Sequence, residues 1–74
     1  MTTAHDIRDI IKDVTGTYVS TDLFNKPLMD VGLDDIDVIQ IATELQSIYQ
    51  HNPRTKIKLS SAISVNDLVK YVRD

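Results

Sequence analysis

Three aspartates, Asp34, Asp35 and Asp37, form the densest group of side chains in the chain that could do chemistry. Clustered carboxylates can bind a divalent cation, but this spacing lacks the alternating acids, the glycine and the distant Glu of an EF-hand loop. Carboxylates also accept hydrogen bonds from the free N–H groups of a helix start and interact favourably with its dipole. We therefore interpret the cluster as solvated acids at the start of a helix and predict no metal site.

Other chemically useful patterns are scarce. His5 and His51 are far apart and lack a Cys or an acid–base set beside them. The chain has no Cys, so it has neither a disulfide framework nor a thiolate metal site. A Gly-rich phosphate loop is also missing. We predict that the protein is not an enzyme.

Length and charge limit the class of protein. The chain has 74 residues, enough for one small domain, and a net charge of -3. Its middle is acidic, which argues against nucleic acid and favours a basic partner surface, although a solvated face is the simpler alternative. No secretory leader pattern and no membrane-spanning apolar run is visible. We expect a cytoplasmic monomer.

Apolar spacing predicts a first helix from about Ala4 to Val14. Thr2 or Thr3 can cap its start, and Gly16 is a suitable stop. Residues at the i, i+3, i+4 and i+7 positions give it one apolar face, made of Ile7, Ile10, Ile11 and Val14.

Two further helices are predicted. The second starts at Asp34 or Asp35, runs to about Gln50 and is ended by Asn52-Pro53. The third begins after Ser64, which with Asp67 three residues on resembles a capping box, with Asp in place of the usual Glu. The apolar stripe of the second helix is Val38, Ile41, Ala42, Leu45, Ile48 and Tyr49, and that of the third is Val65, Leu68, Val69 and Val72.

Two segments connect these helices. Residues 17–34 form a long connection, which we expect to be anchored on the bundle by Val19, Leu23, Phe24 and Leu28. Residues 54–63 are predicted to be a loop with a short helical turn near Ser60 to Ile63. The fold class is therefore all-α, a bundle of three main helices plus one short helix.

The segment from Leu28 to Asp37, with sequence LMDVGLDDID, resembles the phosphopantetheine attachment region of acyl carrier proteins. That region reads roughly Leu-x-x-x-Gly-x-Asp-Ser-Leu/Ile-Asp, and Gly32, Asp34, Ile36 and Asp37 each match a motif position. The tail over residues 64–72 also resembles the last helix of the family. The resemblance implies one acyl-carrier-like domain over residues 1–74.

Family resemblance implies a recognition role for the second helix. Carried over, the partner-binding positions are Asp34, Ile36, Asp37 and Ile39, although Ile36 and Ile39 could instead belong to the core. The implied partners are basic surfaces of carrier-protein partner enzymes or a dedicated protein partner. Glu44 is the only acid further along this helix, where the family often has several, and fewer charges weaken electrostatic steering.

Asp35 stands where the family has its attachment Ser. A Ser hydroxyl forms a stable phosphodiester with phosphopantetheine, whereas a carboxylate would form an acyl phosphate, which water hydrolyses. We therefore predict that Asp35 is unmodified and that the chain carries no cofactor at this position.

Three interpretations remain open at this point. The chain is a carrier-like domain that cannot be loaded at its usual site and acts as an interaction module or non-loadable carrier. Alternatively, it is an ordinary acyl carrier protein of fatty acid or polyketide synthesis with a Ser-to-Asp substitution at position 35. The third interpretation is an unrelated small helical regulator that binds a basic protein partner.

Overall fold

Residues 3–49 and 58–73, which the computed structural model describes, contain three α-helices: α1 (Ala4–Thr15), α2 (Asp35–Tyr49) and α3 (Val65–Arg73). Each helix packs against the other two. The predicted all-α bundle is therefore confirmed. The predicted end of the second helix at Asn52-Pro53 lies outside the described residues. None of the helices in the described ranges is both long and apolar enough to cross a membrane.

Side-chain caps define where α1 and α3 begin. Thr3 Oγ1 accepts a hydrogen bond from the Asp6 N–H at 3.2 Å, and an Asp6 carboxylate oxygen accepts one from the Thr3 N–H at 2.9 Å. Ser64 and Asp67 form the same reciprocal pair at 3.2 and 2.9 Å. Each pair satisfies N–H groups that a helix start leaves without intrahelical partners. The capping box predicted at Ser64 is confirmed.

Gly16 ends α1 as predicted. Its φ of 78° is left-handed, a conformation that glycine adopts without steric cost. Its N–H donates to the Lys12 carbonyl at 2.8 Å, which satisfies one carbonyl of the last turn.

The buried core contains side chains from all three helices and from the long connection. The predicted faces of α1 and α3 point inward, and Tyr71, which was not assigned to a face, is buried as well. Buried apolar residues are Ile7, Ile11, Val19, Phe24, Leu28, Leu33, Val38, Ile41, Ala42, Leu45, Val65, Leu68, Tyr71 and Val72.

The connection between α1 and α2 lies against this core. It contains two short 3₁₀ helices, Thr21–Leu23 and Leu28–Val31. Of the four predicted anchors, Val19, Phe24 and Leu28 are buried, and Leu23 is partly buried. The connection also hydrogen-bonds to the segment before α3, through the Leu28 N–H to the Ile63 carbonyl at 2.8 Å.

A turn is present where one was predicted near Ser60. The Ile63 N–H donates to the Ser60 carbonyl at 3.2 Å, so residues 60–63 form a single hydrogen-bonded turn. The short helices of the described chain lie in the α1–α2 connection instead.

The outer side of α2 is more apolar than the sequence pattern indicated. Ile48, assigned to the buried stripe, is 50% exposed, because it lies one turn past Leu45 at the edge of the α1–α2 contact. Ile36 and Ile39 are 65% and 51% exposed, so the alternative that they belong to the core is wrong.

Leu28 and Met29 provide a test of how the connection is anchored. Leu28 is 1% exposed and Met29 is 51% exposed. Leu28→Ala should lower the free energy of unfolding by about 2–5 kcal/mol, the usual cost of emptying a buried leucine site. Met29→Ala should change it by no more than about 0.5 kcal/mol. Urea denaturation measures both, and equal effects would contradict the proposed anchoring.

Candidate functional site

The start of α2 is capped by two acids. The Asp37 N–H donates to Asp34 Oδ1 at 2.9 Å, and the Asp34 N–H donates to Asp37 Oδ2 at 3.1 Å. This is a capping box in which Asp34 is the N-cap and Asp37 is the third residue of the helix. Both carboxylates therefore have a structural role in addition to any contact with a partner.

Gly32 sets the direction in which the chain enters α2. It follows the second 3₁₀ helix with a φ of 88°, and its N–H donates to the Met29 carbonyl at 3.1 Å. A side chain would have room here, since nothing lies near the position of a Cβ atom. Backbone conformation, and not crowding, is thus the reason for glycine at this motif position.

Asp35 is the first residue of α2, and its carboxylate points to a distant part of the chain. Asp35 Oδ1 accepts a hydrogen bond from the Ser61 N–H at 2.7 Å. Ser61 belongs to the 60–63 turn, 26 positions further along the chain. The bond links the start of α2 to the segment that precedes α3.

The environment of Asp35 favours its ionised form. The Ser61 N–H lowers the pKa of the Asp35 carboxyl below its ordinary value, and the Ser61 hydroxyl and the positive charge of Lys58 act in the same direction. An anionic oxygen makes a stronger hydrogen bond than a neutral one.

The peptide groups around Ser61 are also held from the opposite side. The Ser61 carbonyl accepts a hydrogen bond from the Met29 N–H at 2.9 Å. The neighbouring Leu28 N–H donates to the Ile63 carbonyl at the end of the same turn. Together the two bonds fix the 60–63 turn against the second 3₁₀ helix. The donor that Asp35 uses is therefore held in place before any ligand or partner binds.

Asp34, Asp35, Ile36 and Ser61 line an open depression of about 420 Å³ at this end of the bundle. The structure thus brings three of the sequence-predicted site residues together with Ser61. Sequence reasoning predicted the turn that carries Ser61, but it did not indicate its contact with Asp35.

Of the remaining candidate residues, Ile39 lies on the surface and His5 packs against another side chain. Ile39 is exposed one turn after Ile36 on the outer side of α2. His5 packs edge-on against the Phe24 ring, with 5.5 Å between ring centroids, which is a packing role. Within the described ranges no group of three acidic or histidine side chains is arranged to hold a metal ion.

The Asp35–Ser61 bond should make stability depend on pH. A carboxyl whose pKa is lowered by folding stabilises the folded state above its unfolded pKa, and this contribution is lost as the pH falls through the lowered value. Asp35→Asn removes the charge but can keep an acceptor, so this part of the acid sensitivity should disappear. Urea denaturation across the acidic range, with an NMR titration of the Asp35 carboxyl, measures the effect. Titration of Asp35 at or above its ordinary pKa would contradict the assignment.

Comparison with known proteins agrees with this geometry. The family model described as the phosphopantetheine attachment site (PP-binding) matches residues 5–72, nearly the whole chain. No curated protein and no solved structure matches the chain significantly. The match excludes the alternative of an unrelated helical regulator. This chain belongs to the phosphopantetheine attachment family and is a domain of the acyl-carrier type.

Proposed function

We propose that this domain is a carrier fold that cannot be loaded at the start of α2 and that it acts as a protein-interaction module. The observation that carries the proposal is the state of Asp35. Its carboxylate accepts a hydrogen bond from the Ser61 N–H at 2.7 Å. By resemblance to the family motif, we assign Asp35 to the position of the attachment Ser.

The donor set at this helix start does not fit a phosphopantetheine attachment. Durable attachment needs a hydroxyl, and Asp35 offers a carboxylate that its surroundings keep ionised. Among the described residues that line the depression, Ser61 carries the one hydroxyl. It lies in a turn and not on the helix, so it does not occupy the motif position.

Apolar exposure on α2 supports an interaction role. Ile36 and Ile39 present large aliphatic side chains to solvent, one helical turn apart. Covering such surface is favourable by about 25 cal/mol for each Å² removed from water. Asp34 and Asp37 lie beside them and are suited to a basic rim on a partner, such as a carrier-protein partner enzyme or a dedicated protein.

A second function is favoured by the intact surroundings of Asp35. The turn at Gly32, the cap formed by Asp34 and Asp37, and the exposed Ile36 are all features that a loading enzyme could recognise. The second candidate is therefore an ordinary carrier of fatty acid or polyketide synthesis that position 35 has blocked.

Incubation with coenzyme A and a broad-specificity phosphopantetheinyl transferase tests the proposal, with intact mass as the measurement. The unchanged chain should gain no mass, because no hydroxyl stands at the motif position. A gain of one phosphopantetheine group by the unchanged chain would contradict the account of Asp35.

Matched variants make the same experiment decisive between the two candidates. Asp35→Ser should be loaded if the chain is a blocked carrier, and it should stay unloaded if the recognition surface has been repurposed. Asp35→Ala is the control that also loses the carboxylate but gains no hydroxyl. Adding Ser61→Ala to Asp35→Ser shows whether any label is on the neighbouring hydroxyl.

A further inference from the structure

A second depression, of about 320 Å³, lies between α1 and α2, away from the start of α2. On α1 its lining residues are at i, i+3 and i+4 spacing, and on α2 they are one turn apart, so each set shares one side of its helix. The lining residues are Ile10, Asp13, Val14, Glu44 and Ile48, and we refer to this site as the α1–α2 groove.

The floor of the α1–α2 groove is apolar and only partly covered. Ile10 and Val14 pack against the core but remain partly accessible. Ile48 is 50% exposed, although its position continues the buried stripe of α2. Folding thus leaves Ile48 half exposed. A partner that covers it gains binding free energy from removing its apolar surface from water.

The described charged residues that line the groove are both acidic. Asp13 and Glu44 are exposed acids, one on each helix. Among the described side chains of residues 3–49 and 58–72 the one ion pair joins Arg8 and Asp9, so none of these side chains forms an ion pair with either groove acid. With a net charge of -3, the domain as a whole adds to the attraction for cations.

We infer that the α1–α2 groove is a docking site for a short basic amphipathic segment of a partner protein. An apolar side chain of that segment seats against Ile10, Val14 and Ile48. Lysine or arginine side chains on its flanks meet Asp13 and Glu44. This site is separate from the start of α2 and does not depend on whether position 35 can be loaded.

Charge argues against two other occupants. A second copy that docked symmetrically through the same groove would bring Asp13 and Glu44 against their own counterparts, and like charges in contact disfavour association. An anionic membrane surface is disfavoured for the same reason. A cationic protein segment satisfies both the apolar floor and the acidic edges.

The test uses a synthetic helical peptide with leucines at i and i+4 flanked by lysines, added to the isotope-labelled domain. Binding should shift the amide NMR signals of residues 10–14 and 44–48 more than those of residues 34–39. It should weaken as salt rises from about 0.05 M to about 0.3 M, since salt screens exposed charges. A peptide with glutamates in place of the lysines is the control and should not bind.

Two apolar residues of equal exposure provide matched variants. Ile48→Ser should lower the affinity for the lysine peptide by about tenfold or more, as expected for a central apolar contact. Met29→Ser changes an apolar residue of equal exposure, 51% against 50%, outside the groove and outside the proposed α2 interaction surface, and should leave the affinity unchanged. Glu44→Lys should also abolish binding, because it places a positive charge at the edge of the groove. This substitution leaves the apolar floor unchanged.

Four results would overturn the docking site. They are no binding of the lysine peptide, equal binding of the glutamate peptide, equal effects of Ile48→Ser and Met29→Ser, and signal shifts centred on residues 34–39. The last result would assign the peptide to the start of α2 and leave the groove without a ligand.

Discussion

Backbone hydrogen bonding between the α1–α2 connection and the segment before α3 is the constraint on which this structure depends. Backbone N–H and C=O groups that leave water need hydrogen-bond partners. The connection over the core contains only two short 3₁₀ helices, which do not supply partners for all of its backbone groups. Here the Leu28 N–H bonds to the Ile63 carbonyl and the Met29 N–H to the Ser61 carbonyl. The Asn66 N–H, in the first turn of α3, adds a bond to the Phe24 carbonyl at 3.1 Å. These bonds bring Ser61 to the start of α2, where its own N–H reaches the Asp35 carboxylate.

The site follows from this arrangement. Asp34 and Asp37 cap α2. The Asp35 carboxylate instead accepts a hydrogen bond from the Ser61 N–H of the 60–63 turn. A carboxylate at this position therefore supports the helix start and the tertiary contact together. The same residue offers no hydroxyl for attachment. Under the proposed function, stability at position 35 and loss of loading both follow from a carboxylate at this position.

Local signals in the sequence predicted much of the fold. The apolar periodicity of α1 and α3, the stop at Gly16 and the cap at Ser64 depend on neighbours within one or two turns, and the structure confirms them. Short-range sequence patterns do not predict contacts between segments that are distant along the chain. The Ser61 donor to Asp35, the buried Leu33 and the bond between the Gln46 side chain and the Tyr71 hydroxyl all depend on tertiary packing. Ile48 was placed in the core because periodicity describes a face without saying how far a neighbouring helix covers it.

The most direct measurement is the NMR scalar coupling across the hydrogen bond between the Ser61 amide nitrogen and the Asp35 carboxyl carbon. Near neutral pH we predict a detectable coupling, and we predict that acidification removes it as Asp35 becomes protonated. An Asp35 side chain that shows no coupling to Ser61 while the rest of the bundle is folded would contradict the account. The carboxylate would then be free in solvent, and the link between α2 and the 60–63 turn would have to be explained in another way.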